Sequence, residues 1–189
     1  MRNGAWLLAA TALAACTSLG PREAERYFVL EAVAPPAAAR APAKEGIDVA
    51  PTTASSFYDT QSIAFSRGAG TREYYQFNHW TERPQRAIHA LLASRLRTDA
   101  ARGTLVLDTQ VDEIYHDAVV PPGVARVSIS AELSDAATRT RIARRSFTRS
   151  VPAPAYDAEG AVQGFDLAVA SLVEEIAAWA EDQAAARRR

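Results

Sequence analysis

The sequence predicts an α+β protein in which two helices pack on one face of a mainly antiparallel sheet. Short runs rich in aromatic and β-branched residues come first, and longer segments that alternate apolar and polar residues follow. Two other segments carry apolar residues at spacings of three and four, as helices that bury one face do. The features of a cleaved signal peptide (residues 1–15) and a tether (16–25) precede this single domain (26–186).

Composition excludes several classes of function. The chain has 189 residues, with 21 Lys and Arg against 22 Asp and Glu, so a strongly basic nucleic-acid-binding protein is excluded. A hydrophobic content of 48% with 23% charged residues is typical of globular proteins, and the length fits one domain with tails. A single cysteine excludes an internal disulfide framework and a cysteine-rich zinc site.

The N-terminal segment predicts export from the cytoplasm. Arg2 gives a short positive region, and residues 5–15 form an apolar stretch that only Thr11 interrupts. This stretch is too short to cross a membrane, because a spanning helix needs about 20 apolar residues. The segment therefore predicts a signal peptide.

Cys16 is the predicted site of lipidation. The apolar stretch ends in Leu13, Ala14, Ala15 and Cys16, which resembles the bacterial lipobox. Cleavage before Cys16 would leave its thiol to carry diacylglycerol and acyl groups such as palmitate, and more than one chain anchors stably. The alternative is an ordinary secretory signal with a chance cysteine, but the only cysteine stands at the predicted cleavage site. Thr17, where an aspartate would signal inner-membrane retention, favours the outer membrane, facing the periplasm.

The first half of the domain is predicted to hold short strands and one helix. A Pro- and Ala-rich loop (34–46) and a glycine turn (67–70) separate the strands. The helix (81–98) is predicted to be capped by Thr81, with Pro84 tolerated in its first turn. The predicted strands cover residues 27–30, 47–50, 57–66 and 72–77.

The second half of the domain is predicted to be three long strands and a helix. The strands (104–115, 124–134 and 140–151) alternate between an apolar and a polar face, as in an antiparallel sheet with one face in water. The final helix (160–186) is expected to complete the core with an apolar stripe. That stripe consists of Phe165, Val169, Leu172, Val173, Ile176 and Trp179.

The residues that could carry chemistry do not form a catalytic set. The chain contains neither the glycine-flanked serine of a hydrolase nor a phosphate-binding loop. His79, His89 and His116 are scattered without metal-ligand spacing, and Asp108 and Asp112 fall on the expected wet face of a strand. We therefore predict a non-enzymatic protein with no metal and no cofactor beyond the covalent lipid on Cys16.

Two groups of residues are candidates for contact with a partner or with lipid. One group is a basic hairpin that carries Arg139, Arg141, Arg144, Arg145 and Arg149. It is either a solvated edge that discourages aggregation or a surface for anionic lipid headgroups or an acidic partner. Aromatic residues are favoured at interfaces, although half of those between residues 74 and 80 are expected in the core. The candidate contact residues are Tyr58, Tyr75, Trp80, Arg141 and Arg145.

Three segments resemble the ABC-type transport auxiliary lipoprotein family. They are FYDTQSIAF (57–65), the pair Tyr74-Tyr75, and NHWTERP (78–84) before the leucine-rich helix. The family carries a similar Tyr-Asp segment, an aromatic pair, and a Trp followed four residues later by Pro. The resemblance runs from Tyr27 to the final helix, with local departures at residues 34–44 and 68–70.

The resemblance implies a non-enzymatic component of the Gram-negative envelope. Family members accompany MCE-type lipid transporters, so the implied partners are a periplasmic MCE-domain protein with an inner-membrane permease and ATPase. The lipoprotein would sit at the outer membrane, dock the MCE protein for lipid transport between membranes, and form a homo-oligomeric ring. The alternative is a stand-alone envelope lipoprotein that assists assembly or binds lipid or peptidoglycan.

Overall fold

The computed structural model describes residues 23–32, 46–97 and 103–187. The signal peptide, Cys16 and the Pro- and Ala-rich loop up to residue 45 lie outside these ranges, and so does the tether before residue 23. Predictions about those segments stay predictions. The described ranges hold two helices, α1 (Pro84–Arg95) and α2 (Ala158–Ala186). Their strands are β1 (Arg26–Phe28), β2 (Ile47–Val49), β3 (Thr53–Ala54), β4 (Ser62–Ser66), β5 (Glu73–Trp80), β6 (Leu105–Asp117), β7 (Val124–Asp135) and β8 (Arg141–Pro152).

The strands form one mixed sheet, which corrects the predicted mainly antiparallel one. The order is β1-β5-β4-β6-β7-β8, with β2 and β3 also paired to β6. The pairs β4–β5, β6–β7 and β7–β8 are antiparallel, but β2, β3 and β4 each lie parallel to β6, and β1 lies parallel to β5. The antiparallel prediction failed in the first half because two- and three-residue strands carry no alternation that reveals a partner or its direction.

The alternation in the second half of the chain did predict its strands. Val127, Ile129 and Leu133 of β7 are fully buried, whereas Ser128 and Ser130 lie on the opposite, polar face. Strand β7 sits between β6 and β8 and pairs with both along nearly its whole length. The sheet therefore has one apolar face and one largely polar face, as predicted.

Helix α2 covers the apolar face. It begins at the Asp157 cap, whose side chain accepts a hydrogen bond from the Gly160 N–H (2.7 Å), and it packs on β7 and β8. Phe165, Leu172 and Ile176 are fully buried, and each such side chain contributes about 1.5–3 kcal/mol. Helix α1 packs beside α2, and both helices belong to one buried cluster.

Helix α1 begins later than the sequence predicted. Pro84 is the first helical residue, and Arg83 before it is extended (φ −62°, ψ 132°), so Thr81 is not the cap. A proline disfavours the helical conformation in the residue that precedes it, which explains the start. Strand β5 continues to Trp80, so His79 lies in a strand and not in a loop.

The segment before β4 also differs from its prediction. A 3₁₀ turn (Ser56–Tyr58) and a bend replace the start of the strand predicted at 57–66. The N–H groups of Tyr58 and Asp59 both donate to the Ser55 carbonyl, which closes the turn. Neither helix in the described ranges has the length and apolarity needed to cross a membrane.

Close approach of α2 to the sheet depends on Gly164. A Cβ atom added at this helical position would lie 2.7 Å from the Cβ of Ala125 on β7. We expect Gly164→Ala to lower the free energy of unfolding by about 1 kcal/mol. The overpacking by the added methyl group costs about 1–3 kcal/mol, and the higher helix propensity of alanine over glycine offsets about 1 kcal/mol of this. Urea unfolding measures this loss.

The neighbouring exposed residue Gln163 supplies the control for this measurement. Gln163→Ala alters the same helix turn without entering the contact, so its stability should stay within about 0.5 kcal/mol of the parent. Adding Ala125→Gly to Gly164→Ala should recover part of the lost stability. A Gly164→Ala protein as stable as the Gln163→Ala protein would contradict the role of Gly164.

Candidate functional site

The five predicted contact residues do not form one surface. Trp80 is only 2% exposed, and its ring packs on Phe165 with 5.7 Å between centroids. Tyr58 is also buried, and its hydroxyl accepts a hydrogen bond from Arg72 Nε (3.0 Å). Both side chains are therefore packed inside the folded domain, and the contact role predicted for them stays a prediction.

Arg72 makes the Tyr58 cluster a structural one. Its guanidinium lies 3.6 Å from the ring centroid of Tyr115 and 3.3 Å from Glu113 Oε1. Burial raises the pKa of Tyr58, although the nearby Arg72 cation opposes that rise. The hydroxyl therefore stays protonated at neutral pH, and the cluster braces the turn before β4 against β6.

Tyr75 belongs to a partly buried hydrogen-bond chain. Its hydroxyl lies 2.7 Å from His116 Nδ1, and His116 Nε2 lies 3.0 Å from the Pro122 carbonyl. The carbonyl can only accept, so Nε2 carries the hydrogen and Nδ1 accepts from Tyr75. Burial lowers the pKa of His116, which is fully buried, and raises the pKa of Tyr75 to about 12. The hydrogen bond from Tyr75 thus holds His116 in one tautomer of its neutral form.

Arg141 and Arg145 lie on β8, the last strand in the sheet order. Both side chains are more than half exposed. Arg145 pairs with Glu175 of α2 (3.1 Å) and Arg141 with Glu132 of β7 (3.5 Å). Both interpretations of the basic hairpin remain open, and charge along this edge opposes pairing with another sheet.

A polar cleft of about 820 Å³ lies beside the N-terminus of α1. Strand β3 forms one side of it, the bend before β4 forms another, and the connection from β5 to α1 closes it. Two of the segments that carry the family resemblance meet here although about 20 residues separate them in the sequence. The lining residues are Thr52, Thr53, Ala54, Asp59, Gln61, Thr81, Glu82, Arg83, Gln85 and Arg86.

Asp59 and Gln61 hold these two segments together. Asp59 Oδ1 accepts hydrogen bonds from Arg83 (2.9 Å) and from Gln85 Nε2 (2.6 Å). The Gln61 amide donates to the carbonyls of Trp80 (3.3 Å) and Thr81 (2.8 Å). These contacts fix the approach to α1, where backbone N–H groups lack helical partners.

Gln85, beside the cleft, carries an unsatisfied acceptor that is itself buried. Its side chain is 7% exposed, and Oε1 has no hydrogen-bond partner among the described residues. The contact with Asp59 requires the amide nitrogen on that side, so the oxygen is directed elsewhere. A buried acceptor without a donor costs about 1–3 kcal/mol, and a donor that reaches it would recover that energy.

The cleft offers groups that can bind a polar partner. Arg83 and Arg86 supply exposed positive charge, while Asp59 and Glu82 supply negative charge. Within the described ranges, no group of three or more His, Cys, Asp or Glu residues could hold a metal ion. Charges of both signs, together with amide and hydroxyl groups, are typical of the polar rim of a protein–protein interface.

Comparison with known proteins decides the family. The model of the ABC-type transport auxiliary lipoprotein component matches residues 28–177. The chain belongs to this family. The resemblance noted in the sequence is thereby confirmed, and the family is one of auxiliary lipoproteins. No match was found among curated proteins.

Solved structures share the fold of this auxiliary lipoprotein. Protein XCC0632 from Xanthomonas campestris is similar with a TM-score of 0.77 and 18% identity, over 86% of this chain and 98% of that one. An uncharacterized protein is similar with a TM-score of 0.63 and 12% identity, over 82% and 98%. Identities this low show a common fold.

The polar residues of the cleft were missed in the choice of contact candidates. Asp59 and Arg83 stand inside the resembling segments, and Gln85 follows directly after them. The aromatic residues of the same segments were preferred because aromatics are favoured at interfaces. The signal available in the sequence for the cleft residues was a polar residue close to an aromatic one within such a segment.

Removal of the Asp59 carboxylate tests its role at the start of α1. Asp59→Ala breaks the ion pair with Arg83 and leaves the buried Gln85 amide without its acceptor, so we expect a loss of about 1–3 kcal/mol in urea unfolding. Glu82→Ala removes an exposed acid from the same cleft and should cost less than about 0.5 kcal/mol. Equal losses in the two variants would refute the role.

The buried histidine predicts a pH dependence of stability. Because the pKa of folded His116 lies below its unfolded value near 6.5, only the unfolded state gains this proton as the pH falls through that value. The free energy of unfolding should decrease from about pH 7.5 to 5.5, by at most about 1.4 kcal/mol per pH unit for this group.

The charged groups near this imidazole are Asp117, Asp157 and Arg67. Urea unfolding at a series of pH values would show a reduced slope in His116→Gln. A parent protein whose stability does not change across this pH range would contradict the prediction.

Proposed function

We propose that this auxiliary lipoprotein is a non-enzymatic component of an ABC/MCE lipid transport system. Its anchor is the diacylglycerol and acyl modification of Cys16, in the periplasmic leaflet of the outer membrane. Its task is to dock the periplasmic MCE-domain protein during lipid transport between membranes. The observation that carries the proposal is the family match over residues 28–177.

The cleft beside α1 is the docking site in this proposal. It is assembled from segments that carry the family resemblance, and its geometry depends on Asp59 and Gln61. Thr53, Gln61 and Thr81 would supply polar groups for hydrogen bonds with the partner. The exposed Arg83 and Arg86 would pair with acidic groups of the partner, which favours specificity and rapid association.

The energy for transport comes from the partners in this scheme. The sequence contains no phosphate-binding loop, so the permease and ATPase of the inner membrane would drive the lipid. The lipoprotein then acts as a fixed receptor at the receiving or donating membrane. A homo-oligomeric ring remains part of the proposal, since several copies would present several clefts to one partner.

A crosslinked pull-down tests the docking role. The protein, tagged at its C-terminus, is recovered from solubilised envelopes, and its partners are identified by mass spectrometry after outer and inner membranes are separated. We expect an MCE-domain protein with its permease and ATPase. Recovery of none of these, from abundant intact lipoprotein in the outer-membrane fraction, would favour the stand-alone envelope lipoprotein.

A charge reversal at the cleft tests the docking site itself. Arg86→Glu should lower partner recovery about tenfold or more, because like charges facing each other at an interface cost several kcal/mol. Arg97→Glu makes the same change at an exposed residue beyond the other end of α1 and should leave recovery unchanged. Equal recovery with both variants would place the partner elsewhere.

A further inference from the structure

One end of the domain carries an exposed apolar tip. The connection from β6 to β7 presents Val119 and Val120 at 50% and 72% exposure, followed by the exposed prolines 121 and 122. Tyr156, 44% exposed, stands beside it and donates a hydrogen bond from its hydroxyl to the Ala118 carbonyl (2.7 Å). Exposed apolar side chains that cluster at one point are a recurring mark of a contact site.

The tip is held from behind by buried contacts. His116 Nε2 donates to the Pro122 carbonyl, and the Ala118 N–H donates to the Ser66 carbonyl at the end of β4 (2.8 Å). Gly123 has φ +91°, and a Cβ there would lie 2.0 Å from His116 Nε2, so only glycine allows the histidine this position. These contacts hold the connection that carries Val119 and Val120 in one conformation. Little conformational entropy is therefore lost when a binding surface covers the two valines.

The chain enters the domain from this same end. Strand β1 runs parallel to β5, with Arg26 opposite Asn78 and Phe28 opposite Trp80, so the residues before β1 come from the side where β5 begins. Glu73, the first residue of β5, pairs with Phe65, which in turn pairs with His116 below the tip. The Arg26 side chain also reaches Glu159 (2.7 Å), which lies in the first turn of α2, three residues after Tyr156.

The tether is too short to let the domain move far from its anchor. Six residues, 17–22, separate the lipidation site from the first described residue, and the seven Cα–Cα steps span at most about 25 Å when fully extended. A lipid on Cys16 therefore keeps the bilayer within about one domain diameter of the end that carries the tip.

We propose that the Val119–Val120 tip inserts into the bilayer that holds the lipid on Cys16, which rests on the lipid anchoring in the proposed function. The two valines enter the boundary of the acyl chains, and Tyr156 and Arg67 lie at headgroup level, as amphipathic side chains do. Arg67 follows Ser66, whose carbonyl holds the tip, and its guanidinium lies 5.0 Å from the Phe65 ring centroid.

The attraction at the tip is apolar rather than electrostatic. Two charged pairs near the tip are compensated within the domain, Asp117 with Arg126 (3.0 Å) and Arg26 with Glu159 (2.7 Å). Arg67 adds one cation at headgroup level, which contributes about 1 kcal/mol on anionic lipid. Insertion should therefore proceed on uncharged lipid and depend little on salt, unlike the binding of a basic patch to anionic headgroups.

Site-specific labelling of the full lipidated chain tests this insertion. Acylation consumes the thiol of Cys16, the only native cysteine, so Val120→Cys introduces a single reactive thiol for the environment-sensitive fluorophore NBD. The protein is reconstituted in phosphatidylcholine vesicles, with and without phosphatidylglycerol. The matched control is Ala137→Cys in the exposed turn between β7 and β8, at the opposite end of those strands.

In the expected result, NBD at position 120 shows a blue shift, is quenched by spin-labelled lipid and resists aqueous iodide on both vesicle types. NBD at position 137 shows the reverse. A protein that floats with vesicles while position 120 responds as position 137 does would overturn the insertion but leave the anchor intact. Insertion on anionic vesicles alone would overturn its apolar basis.

Failure of the anchor is separable from failure of the tip. If mass spectrometry of the purified protein shows no acyl groups on Cys16, the anchoring in the proposed function fails, and with it the proposal for the tip. A second variant, Val119→Asp with the label at position 120, should move the label back into water without unfolding the domain, since both valines are exposed. An unchanged blue shift in that variant would also overturn the proposal.

Discussion

The long strand β6 imposes the constraint on which the rest of the fold depends. Its 13 residues are largely buried, so the backbone N–H and C=O groups along both of its edges need partners. Strand β7 pairs with one edge along nearly its full length. The other edge is paired by three short parallel strands in succession: β2 near its start, β3 at its middle and β4 at its end. This arrangement decides where every other element lies.

The candidate site follows from that arrangement. A parallel pair needs a crossover connection, and β5 with α1 forms the crossover that carries the chain from β4 to β6. The end of β3, the start of β4 and the start of α1 consequently meet beside the middle of β6, and the cleft is the space between them. Asp59 and Gln61 join these parts by hydrogen bonds, so the residues that carry the family resemblance shape the fold and the cleft together.

The sequence was informative where local periodicity reports burial. Strand β7 alternates between buried and more exposed positions, and the apolar stripe of α2 is buried against the sheet. Both elements were therefore predicted within a few residues. It was uninformative where a contact joins distant segments. Tyr75 and His116 lie 41 residues apart, and nothing in either neighbourhood indicates the other. Trp80 looked like an interface residue because its partner in the core, Phe165, stands in the last helix.

The same limit applies to the site. The lipobox is a local signal, so Cys16 stood out at once, whereas the cleft depends on the pairing of strands too short to show a period. Asp59 and Arg83 were part of the quoted segments, but only the three-dimensional contact gives them a common role. The family resemblance therefore indicates which segments are important, whereas the contacts in the folded domain show which of their residues act together.

The tip and the cleft lie at opposite ends of strand β4. Its last residue, Ser66, supports the Val119–Val120 tip, while the residues just before its first, Ser62, line the cleft. Five residues of strand place these features about 15 Å apart on different ends of the sheet. If the tip lies in the bilayer, the cleft is directed away from it, into the space where a periplasmic partner would approach. The tip and the cleft then occupy separate surfaces, because none of the residues that line the cleft takes part in the hydrogen bonds that hold the tip.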